Sequence, residues 1–189
     1  EQIPSSHDFL ATILEAMKSN IVLQMTFHSF TMQEAKTFLV EPYCVKMSAQ
    51  RWYMLARNVD YNYLRLYSLD RIENVKLTDA HFVLPKDFCA KEYFAEYFGI
   101  VLDESIPLQR IVLRADKYHQ HYMRTLPLHH SQKEIYACDD YADFELTLRP
   151  TYDFYMKLMS FGNMIKVLEP KSLQEKICKW LDKTLDVYK

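Results

Sequence analysis

Only two of the 189 residues are glycine, Gly99 and Gly162. Phosphate-cradling loops and strained nucleophile turns need glycine, because only a residue without Cβ takes their backbone angles and lets a ligand approach the main chain. A Walker loop, a GxGxxG fingerprint, a GxSxG elbow and a collagen repeat are therefore excluded. The chain is 49% hydrophobic and 14% aromatic, with a net charge of −2, which is the balance of a folded chain and not of a disordered one. At this length roughly 70% of the unfolded surface can be buried, so no disulfide or metal staple is required. Cys44, Cys89, Cys138 and Cys178 lie far apart, without the close spacing of a secreted disulfide scaffold or of zinc ligands. Reduced thiols in a cytoplasmic protein follow as the expectation. No apolar run has the ~20 residues that cross a bilayer. The opening Glu-Gln-Ile-Pro has neither an initiator Met nor a signal segment. That start predicts a fragment or processed product with further chain upstream.

Hydrophobic spacing predicts a short helix over 8–19, capped by Ser5 or Ser6, with Phe9, Ile13, Ala16 and Met17 on one face. Strand-rich segments follow at 21–30, 36–46, 51–59, 63–69 and 71–78, separated by short polar breaks. Strands this close, without intervening helices, predict an antiparallel meander small enough to close into a barrel. Pro85 and Asp87 predict a helix start, and Gly99 a left-handed helix end, within 85–99. Beyond a seam near 99–109 the order becomes β-α-β-β-α-β-α. Its strands lie near 110–114, 133–137, 142–149 and 165–170, and its helices near 116–125, 151–161 and 171–187. This is an α+β pattern of the ferredoxin-like kind. The expected organisation is a leading helix or linker at 1–19, a small antiparallel β-barrel with a following helix at 20–99, and an α+β extension at 100–189.

Arg51-Trp52-Tyr53-Met54-Leu55, followed by Arg65-Leu66-Tyr67-Ser68-Leu69-Asp70-Arg71-Ile72, resembles the core of the WYL domain. Val40-Glu41-Pro42-Tyr43 is similar to that family's preceding strand. Leu158–Gly162 and Val167–Pro170 resemble its C-terminal extension. Met54 replaces the usual Leu, a swap that conserves volume. Phe27 stands where the family has Tyr, removing one hydroxyl from the first strand. The resemblance implies an Sm-like or SH3-like β-barrel that senses a ligand in a bacterial transcription regulator. It further implies a winged helix-turn-helix upstream that binds operator DNA, and a homodimer formed with help from the extension. The implied effector is a single-stranded nucleic acid or a nucleotide-like anion. No cofactor, metal, membrane or catalytic role is implied.

Strand alternation places Arg51, Tyr53, Leu55 and Arg57 on one face of 51–59, and Tyr63, Arg65, Tyr67, Leu69 and Arg71 on one face of 63–71. Each strand then has an apolar face for the core and a face that mixes guanidinium with phenol, as suits an anion attached to a base. A three-residue hairpin loop, Asp60-Tyr61-Asn62, would set Arg57 opposite Arg65. Like charges across a ladder are destabilising, so an anion between them is expected. Residues 43–72 hold Lys46, Arg51, Arg57, Arg65 and Arg71 against Asp60 and Asp70. The expected ligand-binding set is Arg57, Arg65 and Arg71 for phosphate, Tyr53 and Tyr67 for stacking or hydrogen bonding, and Phe27 and Ser29 along one side. The bland alternative leaves these arginines as solvated surface, with Arg71 paired to Asp70 or Glu73.

Other constellations carry less. His119, His121, His129, His130, Cys138, Asp139 and Asp140 fall within a short span, but histidines two apart on a helix do not converge on a metal. Asp139, Asp140, Asp143 and Glu145 read as solvated acids, not as an acid/base pair. Phe154, Leu158 and Phe161 with Ile177, Trp180, Leu181 and Leu185 form a stripe expected in a core or a dimer interface. The chain thus reads as a regulatory sensor without chemistry. An oligomerisation module that grips protein and no small ligand is the alternative.

Overall fold

The computed structural model describes residues 8–31 and 33–189. The first part of the chain forms α1 (Leu10–Ser19), β1 (Ile21–Phe27), β2 (Lys36–Ser48), β3 (Arg51–Asn58), β4 (Tyr63–Ser68), a single 3-10 turn (Leu69–Arg71) and β5 (Ile72–His81). After α2 (Ala90–Tyr93) come β6 (Gln109–Asp116), α3 (His119–Thr125), β7 (Lys133–Ala137), β8 (Tyr141–Leu148), α4 (Tyr152–Met159), β9 (Ile165–Glu169) and α5 (Lys171–Val187). Two compact units divide after Ala90. Among the described residues no helix is long and apolar enough to cross a membrane.

In the first unit the strand order is β4-β3-β2-β1-β5, antiparallel throughout. The two outer strands are joined by the 3-10 turn alone, which curls the sheet into a small Sm/SH3-like barrel. Its inner face carries Leu23, Met25, Val40, Met54 and Ala56, all 0% exposed, with Tyr67 and Leu69. Ile13 and Ala16 of α1 close this core. Helix α1 ends at Asn20, whose left-handed backbone (φ 52°) turns its N–H back to the carbonyls of Ala16 and Met17. The proposed caps Ser5 and Ser6 lie outside the described residues. With so little glycine, the β2–β3 turn takes positive φ at Ala49 (45°) and Gln50 (64°), angles a two-residue hairpin requires.

The second unit has strand order β7-β8-β6-β9, every pair antiparallel, with helices after β6, β8 and β9. This is the ferredoxin-like arrangement. Leu113, Phe144, Leu146 and Phe154 sit at its core, and Phe161, Ile177 and Trp180 pack against it. Leu181 and Leu185 of α5 are exposed.

Two expected elements differ. The helix over 85–99 is a single turn, Ala90–Tyr93, and Gly99 does not cap it. Gly99 has φ +81°, and a Cβ there would lie 2.3 Å from the Asp153 carboxylate. That carboxylate accepts hydrogen bonds from the Ile100 (2.7 Å) and Val101 (2.9 Å) N–H groups. Helix α3 begins three residues later than expected, because Asp116 accepts hydrogen bonds from the Tyr118 (2.9 Å) and His119 (2.7 Å) N–H groups. Those two bonds hold the Asp116 carboxyl below its usual range, the His119 N–H contributing most.

Candidate functional site

The β3–β4 hairpin fixes which side chains can meet. Its pairs run from Tyr53↔Ser68 to Asn58↔Tyr63, so the loop is Val59–Asn62, one residue longer than the expected Asp60-Tyr61-Asn62. Asn62 takes a left-handed backbone (φ 52°) and donates its N–H to the Asn58 carbonyl at 2.9 Å. One extra loop residue shifts the pairing by one and exchanges faces. Arg57 therefore opposes Leu64, and Arg65 opposes Ala56. The expected Arg57–Arg65 cross-strand pair does not form. Tyr53, Leu55 and Arg57 point outward, whereas Met54, Ala56, Arg65 and Tyr67 share the inner face.

On the outer face Arg57 is committed to a carboxylate. Its Nε and Nη2 donate to the two Glu41 oxygens at 2.6 and 2.5 Å, and its Nη1 donates to Asn62 Oδ1 at 2.7 Å. Glu41 is 5% exposed. The hydrogen bond to Glu41 pushes the Arg57 pKa up, and burial pushes the neighbouring Tyr43 phenol up. This is a fork-to-carboxylate pair holding β2 to β3. Tyr53, on the same face, is buried. Arg57 and Tyr53 are thus separated from the other candidates by the thickness of the sheet.

The inner rim is different. Phe27 and Tyr67, both buried, meet edge to face with centroids 5.2 Å apart, and Phe38 lies 5.7 Å from Tyr67. The Arg65 Cζ stands 5.8 Å from the Tyr67 ring centre. The Arg71 Cζ stands 5.7 Å from the Phe27 ring and 4.5 Å from the Phe30 ring. Among the described residues neither guanidinium has a carboxylate partner, and the buried Arg71 Nε has no hydrogen-bond partner. The two acids beside Arg71 are engaged elsewhere. Asp70 pairs with Arg51 at 2.6 Å and also accepts from the Ser68 hydroxyl; Glu73 meets His28 at 3.5 Å. The bland pairing of Arg71 to Asp70 or Glu73 is therefore absent.

Burial raises the Tyr67 phenol pKa, which a hydrogen bond to Asn58 partly offsets. Tyr67 and Phe27 consequently form a floor; neither offers an open ring face for stacking. The open ring is Phe30, 82% exposed beside Arg71; as the last residue of the strand-like run 21–30 it stands outside the expected ligand-binding set. Ser29 is buried next to it, its hydroxyl 3.1 Å from that of Thr31. Two un-neutralised cations, an aromatic floor and one exposed ring suit an anion bearing a flat group. Among the described residues no cluster of three or more His, Cys, Asp or Glu side chains could hold a metal ion.

Comparison with known proteins accords with this architecture. The WYL domain model matches residues 8–77 and the WCX domain model matches residues 107–185. No curated protein matches the sequence. A solved structure of a CRISPR Cas-related protein is similar in fold over 97% of this chain and 52% of its own, at 12% identity and a TM-score of 0.57. Proteasome accessory factor B/C (PafBC) of Arthrobacter aurescens aligns over 100% of this chain and 28% of its own, at 18% identity and a TM-score of 0.42. The chain thus spans about half or less of the length of either structure. With both domain models matched in order along most of its length, the chain belongs to the WYL-domain family.

Proposed function

We propose that this chain is the effector-sensing part of a WYL-type transcription regulator. Its effector is a single-stranded nucleic acid or nucleotide-like anion, held at the barrel rim by Arg65 and Arg71. One observation carries the reading: these two arginines rest on aromatic rings with no carboxylate partner among the described residues, while their neighbours Arg51 and Arg57 are neutralised. A guanidinium left without a partner beside apolar surface is stabilised when an anion arrives. Phe30 supplies the stacking face, Phe27 and Tyr67 the floor, and Ser29 a hydroxyl at the edge. Arg57 and Tyr53 serve the barrel's own structure.

The module performs no chemistry. A ligand that binds one arrangement of the full regulator more tightly than another biases an upstream DNA-binding element by that difference in affinity. Binding of a fluorescein-labelled single-stranded oligonucleotide, followed by anisotropy, tests the site. Arg65→Ala and Arg71→Ala should each weaken it by about 1–3 kcal/mol. Unchanged affinity in both variants would remove the proposal.

A second reading, a homodimerising module, draws on α5, where Leu181, Leu185, Val187 and Tyr188 are exposed. Sedimentation of Leu181→Glu/Leu185→Glu beside the parent chain, with oligonucleotide anisotropy on both, separates it: this reading predicts that the dimer is lost and that neither chain binds the oligonucleotide.

A further inference from the structure

The ferredoxin-like unit has a cavity that the sensing proposal does not use. Helices α3 and α4 both send side chains into one core, Met123 from the first and Phe154 and Leu158 from the second. Between them opens a cavity of about 510 Å³. That volume falls in the ordinary range for small-molecule sites, roughly 300–1,000 Å³.

The walls are apolar and the polar groups few. Phe98, Tyr122, Leu126 and Phe161 supply rings and an aliphatic edge, and the only ionisable nitrogens in the lining belong to His119 and Lys157. The Lys157 Nζ sits 4.7 Å from the Phe161 ring centre and has no carboxylate partner among the described residues. Among the described residues no Asp or Glu lines the cavity. His119 faces the Tyr122 ring at 5.6 Å, its Nδ1 engaged with Asp116 at 3.3 Å. At the mouth, Leu126 is 77% and Tyr122 67% exposed. This apolar surface stays in contact with water unless something covers it.

We propose that this cavity binds a small monocarboxylate with an aromatic or branched apolar body. The body lies against Phe98, Phe161 and Leu126, and the carboxylate meets Lys157 at the rim. The charge count selects this class. One unpaired ammonium matches one negative charge, a dianion would bring a second charge with no partner, and a neutral body would desolvate Lys157 without compensation. A cation would be repelled. The site is independent of Arg65 and Arg71, so either proposal can fail alone.

Titration of the 189-residue chain with indole-3-acetate and its uncharged analogue indole-3-acetamide, by calorimetry and by amide chemical shifts, tests the proposal. The acid should saturate with a dissociation constant below about 1 mM. It should bind about tenfold or more tightly than the amide, as a charge-assisted contact requires, with shifts at Leu126, Lys157 and Phe161. Lys157→Met should erase the preference for the acid while keeping amide binding, and Arg65→Ala should change neither. Equal binding of acid and amide by the parent chain overturns the proposal. So does a preference that survives Lys157→Met, or the absence of saturation in that range. Self-association abolished by Leu126→Glu, without acid binding, gives the cavity to a second copy and overturns it as well.

Discussion

The two units each contain four arginines, and they use them in opposite ways. In the ferredoxin-like unit every one is paired: Arg110 with Glu145 and Glu169, Arg114 with Asp143, Arg124 with Glu134, and Arg149 with Glu96. There the guanidinium is a clamp between strands or loops, and Arg114 adds a ring contact 3.7 Å from the Tyr141 centre. In the barrel unit Arg51 and Arg57 do the same work, but Arg65 and Arg71 meet rings and, among the described residues, no carboxylate. Residue type therefore says little about function at these positions. What matters is whether the fold has already supplied the counter-charge, and among the described residues it has done so for six of the eight.

That contrast can be broken by mutation, starting with the largest effect. Arg57→Ala strands the buried Glu41 carboxylate and should lower stability by about 3–5 kcal/mol in denaturant unfolding. The double replacement Glu41→Met/Arg57→Met, which removes both charges, should restore most of that loss. Arg110→Ala breaks a pairing whose arginine side chain is half exposed, and should leave the unfolding midpoint nearly unchanged. Arg65→Ala and Arg71→Ala should stay within about 0.5 kcal/mol of the parent. A large destabilisation by either would make these residues clamps like the others.

The thiols offer a smaller contrast. Burial pushes the Cys44 thiol up to about 11, so at pH 8 it is almost wholly protonated. Iodoacetamide should therefore alkylate the exposed Cys89 and Cys178 first, with Cys44 gaining reactivity only as pH rises toward that value. Peptide mass spectrometry of a time course checks the order.

Much of the fold was legible because its signals are local. The alternation of 51–59 and 63–69 marks two strands, and the helical spacing after Pro170 predicts a helix over 171–187, the span α5 occupies. The site was harder, because it depends on a single count. Whether the β3–β4 loop holds three residues or four decides which face carries Arg65, and no feature of Val59–Asn62 announces its length. The basic excess over 43–72 also leaves out Glu41, two residues before it, the acid to which Arg57 donates. Phe30 is hidden from the sequence for a related reason: its exposure follows from β1 ending at Phe27, and composition does not show where a strand stops pairing.

The salt dependence of oligonucleotide binding tests the central claim most directly. Each phosphate contact to a single strand contributes about −0.7 to the slope of log affinity against log salt. If Arg65 and Arg71 each hold a phosphate, the Arg65→Ala/Arg71→Ala chain should show a slope shallower by about 1.4, while Glu41→Met/Arg57→Met keeps the parent slope. The same slope in the parent and the Arg65→Ala/Arg71→Ala chain, or a shallower one only when Arg57 is replaced, would contradict the account.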